Sequence, residues 1–178
     1  MSVLVVSTGL GSPHTKSLLL AREAERILRA DSTPVTLLDL RELTLPLCGT
    51  TESFSHPNTA RGLELVSAAE AVILATPIYN YDANAVAKNF VELTGKGWKN
   101  KTVGFMCAAG GHASRMSILA LANSLMMDFR CLIVPRFVYA TGPAFAADGS
   151  IVDPEIAARI AQCARATVKL AAAAKSLG

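Results

Sequence analysis

The sequence predicts a doubly wound α/β sandwich: a five-stranded parallel sheet in the order 2-1-3-4-5, with helices on both faces. Two observations carry this. Five short apolar runs alternate along the chain with stretches of helical periodicity, the pattern of repeated strand–helix–strand crossovers. Runs such as Ala71-Val72-Ile73-Leu74-Ala75 are also continuous rather than alternating. Strands of that kind are buried on both faces, as in a helix-covered parallel sheet. With 178 residues, 51% of them apolar, the chain can bury one such core, so residues 1–178 are read as a single domain. Right-handed crossovers leave few other topologies at this size.

Ser2 to Ser7 is β-branched and apolar, a buried first strand. From Ser17 to Arg29, Leu20, Ala21, Ala24, Ile27 and Leu28 share one face against charged neighbours, which predicts an amphipathic helix. The second strand is Val35 to Leu40. Arg41 to Asn58 lacks periodicity and carries Pro46, Gly49 and Pro57; a loop this long is functional or pinned by a partner. Thr59 to Ala69 reads as a helix with Leu63 and Val66 inward. After the third strand at Ala71 to Ala75 comes a loop, Thr76 to Asp82, then a helix from Ala85 to Leu93. The fourth strand is Thr102 to Cys107, followed by a helix from about Ser114 to Asp128. Cys131 to Val134 is the fifth strand, stopped by Pro135, and Phe137 to Ser150 reads as irregular with a turn at Asp148-Gly149. Asp153 and Pro154 suit the N-cap and first position of a final alanine-rich helix.

In the predicted order, strands one and three are neighbours whose chains leave in opposite directions, so a crevice opens at their carboxyl ends. Three unusual loops converge there. Gly11-Ser12-Pro13-His14-Thr15-Lys16-Ser17 opens the first helix, where hydroxyls, backbone N–H groups and the helix dipole together suit a phosphate. It is neither a Walker loop nor a dinucleotide fingerprint, since no Gly-Lys-Ser/Thr follows and His14 holds the sixth position after Gly9. The bland alternative is a capped helix start. Thr76-Pro77-Ile78-Tyr79-Asn80-Tyr81-Asp82 packs a stiffening proline, two tyrosines and two polar side chains into one connection, which suits a planar ring. Packing of those tyrosines on neighbours is the plain alternative. Gly110-Gly111 presents N–H groups without Cβ obstruction, or is simply a flexible turn. Lys88 and Glu92 are spaced to pair on the surface of their helix.

A net charge of +3 without a basic run does not suggest a nucleic-acid groove. No apolar run approaches the roughly 20 residues that span a bilayer, and Met1-Ser2-Val3-Leu4 enters a strand without a signal-peptide pattern. Cys48, Cys107, Cys131 and Cys163 form no CxxC pair and read as reduced cysteines of a cytoplasmic protein. Neither they nor His14, His56 and His112 suggest a metal site.

With these loops in place, the chain resembles the NADPH-dependent FMN reductase family, a group of flavodoxin-like flavoproteins. Gly11 to Ser17 is similar to that family's glycine-serine-x-arginine-x-x-serine phosphate loop, with His14 where the arginine usually stands. Pro77-Ile78-Tyr79-Asn80, followed by Lys88-Asn89 and Glu92, matches its proline-x-tyrosine-asparagine loop and helix, and Gly110-Gly111 its strand-four glycines. The resemblance implies non-covalent FMN: phosphate on Ser12, His14, Thr15 and Ser17 with charge from Lys16, and ring against Pro77, Ile78, Tyr79, Asn80, Tyr81, Gly110 and Gly111. It also implies hydride transfer from NAD(P)H to FMN and on to a quinone, azo, metal or flavin acceptor, in a homodimer or homotetramer. The loop 41–58 would then cover the flavin's dimethylbenzene end or meet a second subunit. No acid–base residue is nominated, because the flavin carries the chemistry. A flavodoxin-type electron carrier is the main rival, and the basic pI near 8.8 tells against it. A receiver-like binding module fits less well: Ser7-Thr8-Gly9 and Thr76-Pro77 stand where acidic residues would be needed.

Overall fold

The computed structural model describes residues 1–175. The aliphatic runs form β1 (Val3–Ser7), β2 (Val35–Asp39), β3 (Ala71–Tyr79) and β5 (Thr102–Ala109); a two-residue β4 (Asp82–Ala83) lies between the last two. The sheet runs β2-β1-β3-β5, and β6 (Leu132–Ile133) and β7 (Val138–Thr141) share its far edge. All pairings are parallel except that of β3 with β4. This is the expected order, with the fifth position filled by two short strands.

That split corrects two expectations. Only Leu132 and Ile133 of the run Cys131 to Val134 pair as a strand, and the stretch Phe137 to Ser150 is not irregular throughout. Thr102 pairs with Leu132, whereas Met106 pairs with Val138, so the edge strand carries two additional residues between these points. Pro135 cannot donate to the ladder, and Arg136 takes a left-handed φ of 63°. The chain therefore bulges outward before rejoining β5. Proline stops one strand here without ending the pairing.

Helices α1 (Lys16–Ala30) and α5 (Pro154–Lys175) cover one face of the sheet. Leu20, Ala24, Ile160 and Ala164 pack there on Val3, Val5, Ile73 and Met106. On the other face, α2 (Pro57–Ala68), α3 (Ala85–Leu93) and α4 (Leu119–Phe129) place Val66, Phe90, Leu121 and Leu125 against Leu4, Val72, Leu74 and Phe105. Helix α2 begins two residues earlier than the pattern suggests. His56 caps it by accepting from the Asn58 N–H, and Pro57 takes the first helical position. Helix α4 begins later than expected, since Ser114 and Ser117 bond to each other in a turn and Ser114 is also held by Tyr139 Oη at 2.6 Å. Asp153 caps α5, accepting from Glu155 and Ile156 N–H.

The long loop 41–58 is pinned by the chain itself. Asn89 on α3 accepts from Cys48 N–H at 2.7 Å and donates to the Pro46 carbonyl at 2.9 Å. Arg41 clamps the buried Asp39 carboxylate at the loop's start, and Asn58 donates to the Thr44 carbonyl near its end. Cys107, Cys131 and Cys163 are buried and free. Burial pushes the Cys131 and Cys163 thiols up to about 11 and raises Cys107 as well, so all three stay neutral and unreactive.

Close packing of α5 on the sheet depends on Gly104. A Cβ there would stand 2.4 Å from Thr167 Oγ1 and 3.2 Å from Cys163 Sγ, both on α5. Gly104→Ala is expected to cost about 1–3 kcal/mol through overpacking, read as a lower midpoint in urea with an unchanged slope.

Candidate functional site

The crevice comes from unequal pairing lengths. Strands β1 and β3 pair only as far as Ser7 with Ala75, whereas β3 stays with β5 as far as Pro77 with Ala108. Beyond Ser7 the chain turns away toward α1 and leaves a gap beside β3. A cavity of about 750 Å³ occupies it, lined by Gly9 and residues 14–17, 77–80 and 108–110.

The α1 end of this cavity has features that suit an anion. The first N–H groups of a helix have no intrahelical partner, and the dipole adds positive potential. Thr15 is the N-cap but makes no side-chain cap bond, and the first turn contains no acidic residue to offset the dipole. Thr15 Oγ1 and Ser17 Oγ are both buried without a hydrogen-bond partner among the described residues. Two orphaned hydroxyls in one place are costly unless something binds them. A Cβ on Gly9 would fall 2.4 Å from Ser17 Oγ and 3.2 Å from Thr15 Oγ1, so the missing side chain keeps this recess open. His14 and Lys16 bring basic groups to the lining, and among the described residues no carboxylate lines it. Ser12 serves the loop instead: its Oγ accepts from His14 N–H at 3.2 Å, and it does not line the cavity.

The second wall corrects the reading of Thr76 to Asp82 as a loop. Strand β3 continues through Thr76 and Pro77 to Tyr79, then folds back through a two-residue hairpin pairing Ile78 with Ala83 and Tyr79 with Asp82. Asn80 and Tyr81 carry φ of 49° and 63°, the left-handed values that such a tight turn requires. Pro77 is tolerated because β1 no longer lies alongside it, so its missing N–H removes no ladder bond. Pro77, Ile78, Tyr79 and Asn80 line the cavity, while Tyr81 stands at the exposed hairpin tip outside it.

Asn84 ties these parts together. It is 5% exposed and caps α3 by accepting from Ala87 N–H at 3.1 Å. The same Oδ1 accepts from Thr8 Oγ1 at 2.8 Å and lies 3.2 Å from Thr76 Oγ1, while Nδ2 donates to the Thr8 carbonyl at 2.7 Å. One side chain thus links the ends of β1 and β3 to the start of α3. The sequence signal was available, an asparagine ahead of an apolar helical run, yet an N-cap alone does not reveal the two threonines it holds.

The third wall is the end of β5. Ala108, Ala109 and Gly110 line the cavity, whereas Gly111 does not. A Cβ at Gly110 or Gly111 would meet nothing within 4 Å, and neither has a positive φ. Neither protein packing nor backbone conformation therefore requires glycine here, and at Gly110 the missing side chain leaves the backbone open to the cavity. Tyr139 on β7 donates to the Gly111 carbonyl at 2.6 Å and fixes the loop's course. The residues suit a phosphate-bearing planar ligand: hydroxyl and N–H donors at one end, and flat aliphatic and backbone edges along both sides.

A family model described as NADPH-dependent FMN reductase matches residues 1–146. An NAD(P)H-dependent FAD/FMN reductase of Geobacillus thermodenitrificans (strain NG80-2) is 30% identical over 158 residues, covering 88% of this chain and 84% of the relative. Among solved structures, FerB, a flavoenzyme NAD(P)H:(acceptor) oxidoreductase from Paracoccus denitrificans, superposes with a TM-score of 0.77 at 20% identity over 96% of each chain. A flavodoxin from the domain Archaea superposes at 0.64 with 12% identity over 98% of this chain and 99% of its own. These two structural likenesses establish the shared flavodoxin-like fold.

Proposed function

The chain belongs to the NADPH-dependent FMN reductase family, and from that premise we propose that its cavity between β1, β3 and β5 seats the FMN through which NAD(P)H reduces an acceptor. The observation that carries the placement is the pair of buried, unpartnered hydroxyls on Thr15 and Ser17 at the α1 N-terminus. They would hold the phosphate with the first-turn N–H groups, and Lys16 and His14 would supply charge. Pro77 to Asn80 and Ala108 to Gly110 would border the ring, and the N–H of Gly110 would stabilise charge gathering on the ring's edge. Ser12, Tyr81 and Gly111 would act one step back, shaping loops whose neighbours touch the ligand.

The chemistry supplied by bound FMN is two-electron transfer, with hydride accepted from a nicotinamide and delivered to the acceptor. What the protein contributes is position. The exposed Tyr79 leaves the cavity mouth open to solvent at the hairpin, where a nicotinamide and then an acceptor can take turns. Acceptors would be quinone, azo, metal or flavin compounds. The assembly would be a homodimer or homotetramer, and the working compartment would be the cytoplasm. No helix among the described residues is long and apolar enough to cross a membrane.

Anaerobic addition of NADPH to FMN-loaded protein should bleach the visible flavin band within seconds, and a quinone should restore it. A band untouched by either nicotinamide nucleotide would leave an electron carrier as the better description.

A further inference from the structure

The arc that follows β5 is held from outside itself. Residues 110–113 make no backbone–backbone hydrogen bond among the described residues, and a Cβ at Gly110 or Gly111 would meet nothing within 4 Å. Neither the ladder nor packing around the glycines therefore sets its course. The sheet pairing ends just before it, with Ala109 opposite Thr141 of β7. Two residues earlier on β7, Tyr139 Oη lies 2.6 Å from the Gly111 carbonyl and 2.6 Å from Ser114 Oγ. A carbonyl can only accept, so the tyrosine's single proton goes to Gly111, and Ser114 donates to Oη. The Ser114 carbonyl accepts in turn from Ser117 Oγ at 2.7 Å, in the turn ahead of α4. The Tyr139 side chain belongs to the buried cluster that includes Ala109, Ile118 and Leu121. It is a post set in the core, and its oxygen grips the chain on either side of His112.

We propose that Tyr139 is a positioning residue for the electron transfer. By holding the Gly111 carbonyl it fixes the Gly110 amide beside the cavity, and so raises the protein's preference for reduced over oxidised FMN. This rests on the FMN placement above. An N–H stabilises developing charge best when its direction is set beforehand, because a mobile one must be ordered at the moment of reaction. Two successive glycines have more backbone freedom to lose than any other pair, so an anchor on the second has its largest effect here. Negative charge gathers on the ring only on reduction, so a loosened arc weakens the reduced state more than the oxidised one. Thr15 and Ser17, on the opposite wall, make no contact with this network and would keep the phosphate.

The test is Tyr139→Phe, which leaves the ring in the core and removes only its oxygen. Reduced FMN should lose about tenfold in affinity relative to oxidised FMN, which lowers the two-electron midpoint potential of the bound flavin by about 30 mV. The Kd of oxidised FMN should move by less than about threefold. Ser114→Ala, which spares the bond to Gly111, should shift the potential the same way by less. In flavin-free protein, NMR relaxation should show the Gly110 and Gly111 amides falling from rigid order parameters near 0.85 toward flexible values below about 0.6. An equal loss of affinity in both oxidation states, with the potential unchanged, would assign Tyr139 to the fold alone and overturn the proposal. So would glycine amides as rigid in the variant as in the native protein. A native protein that takes up neither form of FMN would instead overturn the seat itself, and this role with it.

Discussion

Gly9→Ala is expected to weaken FMN binding by about 100-fold while leaving the fold intact. The added methyl would fall 2.4 Å from Ser17 Oγ and 3.2 Å from Thr15 Oγ1. The backbone need not move, because the nearest atom is a hydroxyl that can rotate away. Rotation takes that hydroxyl out of the recess in which it would meet the phosphate. A hydrogen bond to a charged group contributes about 1.5–3 kcal/mol, so losing one or both donors amounts to a factor of 10 to several hundred. Flavin fluorescence quenching reads the change in Kd directly, and circular dichroism checks the fold. Native affinity in the variant would place the phosphate away from α1.

Asn84→Ala is expected to destabilise the protein by about 3 kcal/mol and to lower Tm by about 10 °C. The side chain is buried and serves the Thr8 carbonyl, the Thr8 and Thr76 hydroxyls and the Ala87 N–H. Removing it strands several polar groups in a site where water has little room, and loss of the α3 cap adds to the cost. Because those groups belong to the ends of β1 and β3, FMN affinity should fall too. Asn84→Asp keeps the acceptor and the cap but loses the donor to Thr8, so it should lie between native and alanine proteins in thermal unfolding. An alanine variant as stable as the native protein would mean that the threonines find other partners.

The elements with strong local signals were legible from the sequence. Continuous aliphatic runs marked β1, β2 and β5, a charged-and-apolar stripe marked α1, and Asp153-Pro154 marked the start of α5. Alternation, right-handed crossovers and the size of the chain pointed to the flavodoxin-like order that the sheet adopts. What could not be read depends on pairing partners distant in sequence. Thr76 to Tyr79 looks like a loop because of its proline and polar residues, yet β5 recruits it into the sheet as far as Pro77 and β4 closes it into a hairpin. Pro135 looks like the end of the edge strand, yet Val138 to Thr141 regain the ladder beyond a bulge. The loop 41–58 reads as functional or pinned by a partner; within the chain, Asn89, forty-one residues from Cys48, holds it in place.

The site shows the same division. The convergence of three loops on one rim was predictable from topology, and most of the nominated residues do line a shared cavity: His14 to Ser17, Pro77 to Asn80 and Gly110. Ser12, Tyr81 and Gly111 lie just outside the lining, because local turns consume Ser12 Oγ and direct the other two away. Gly9, Ala108 and Ala109 also line the cavity without being among the nominated residues, since small residues carry no chemistry of their own and matter here by leaving room.

The most direct measurement is a comparison of FMN with riboflavin, which has the same ring and no phosphate. Anchoring at Thr15, Ser17 and the α1 N-terminus predicts that the native protein binds FMN about 100-fold more tightly than riboflavin, with one-to-one saturation. Equal affinities, or no saturable uptake of either, would contradict it.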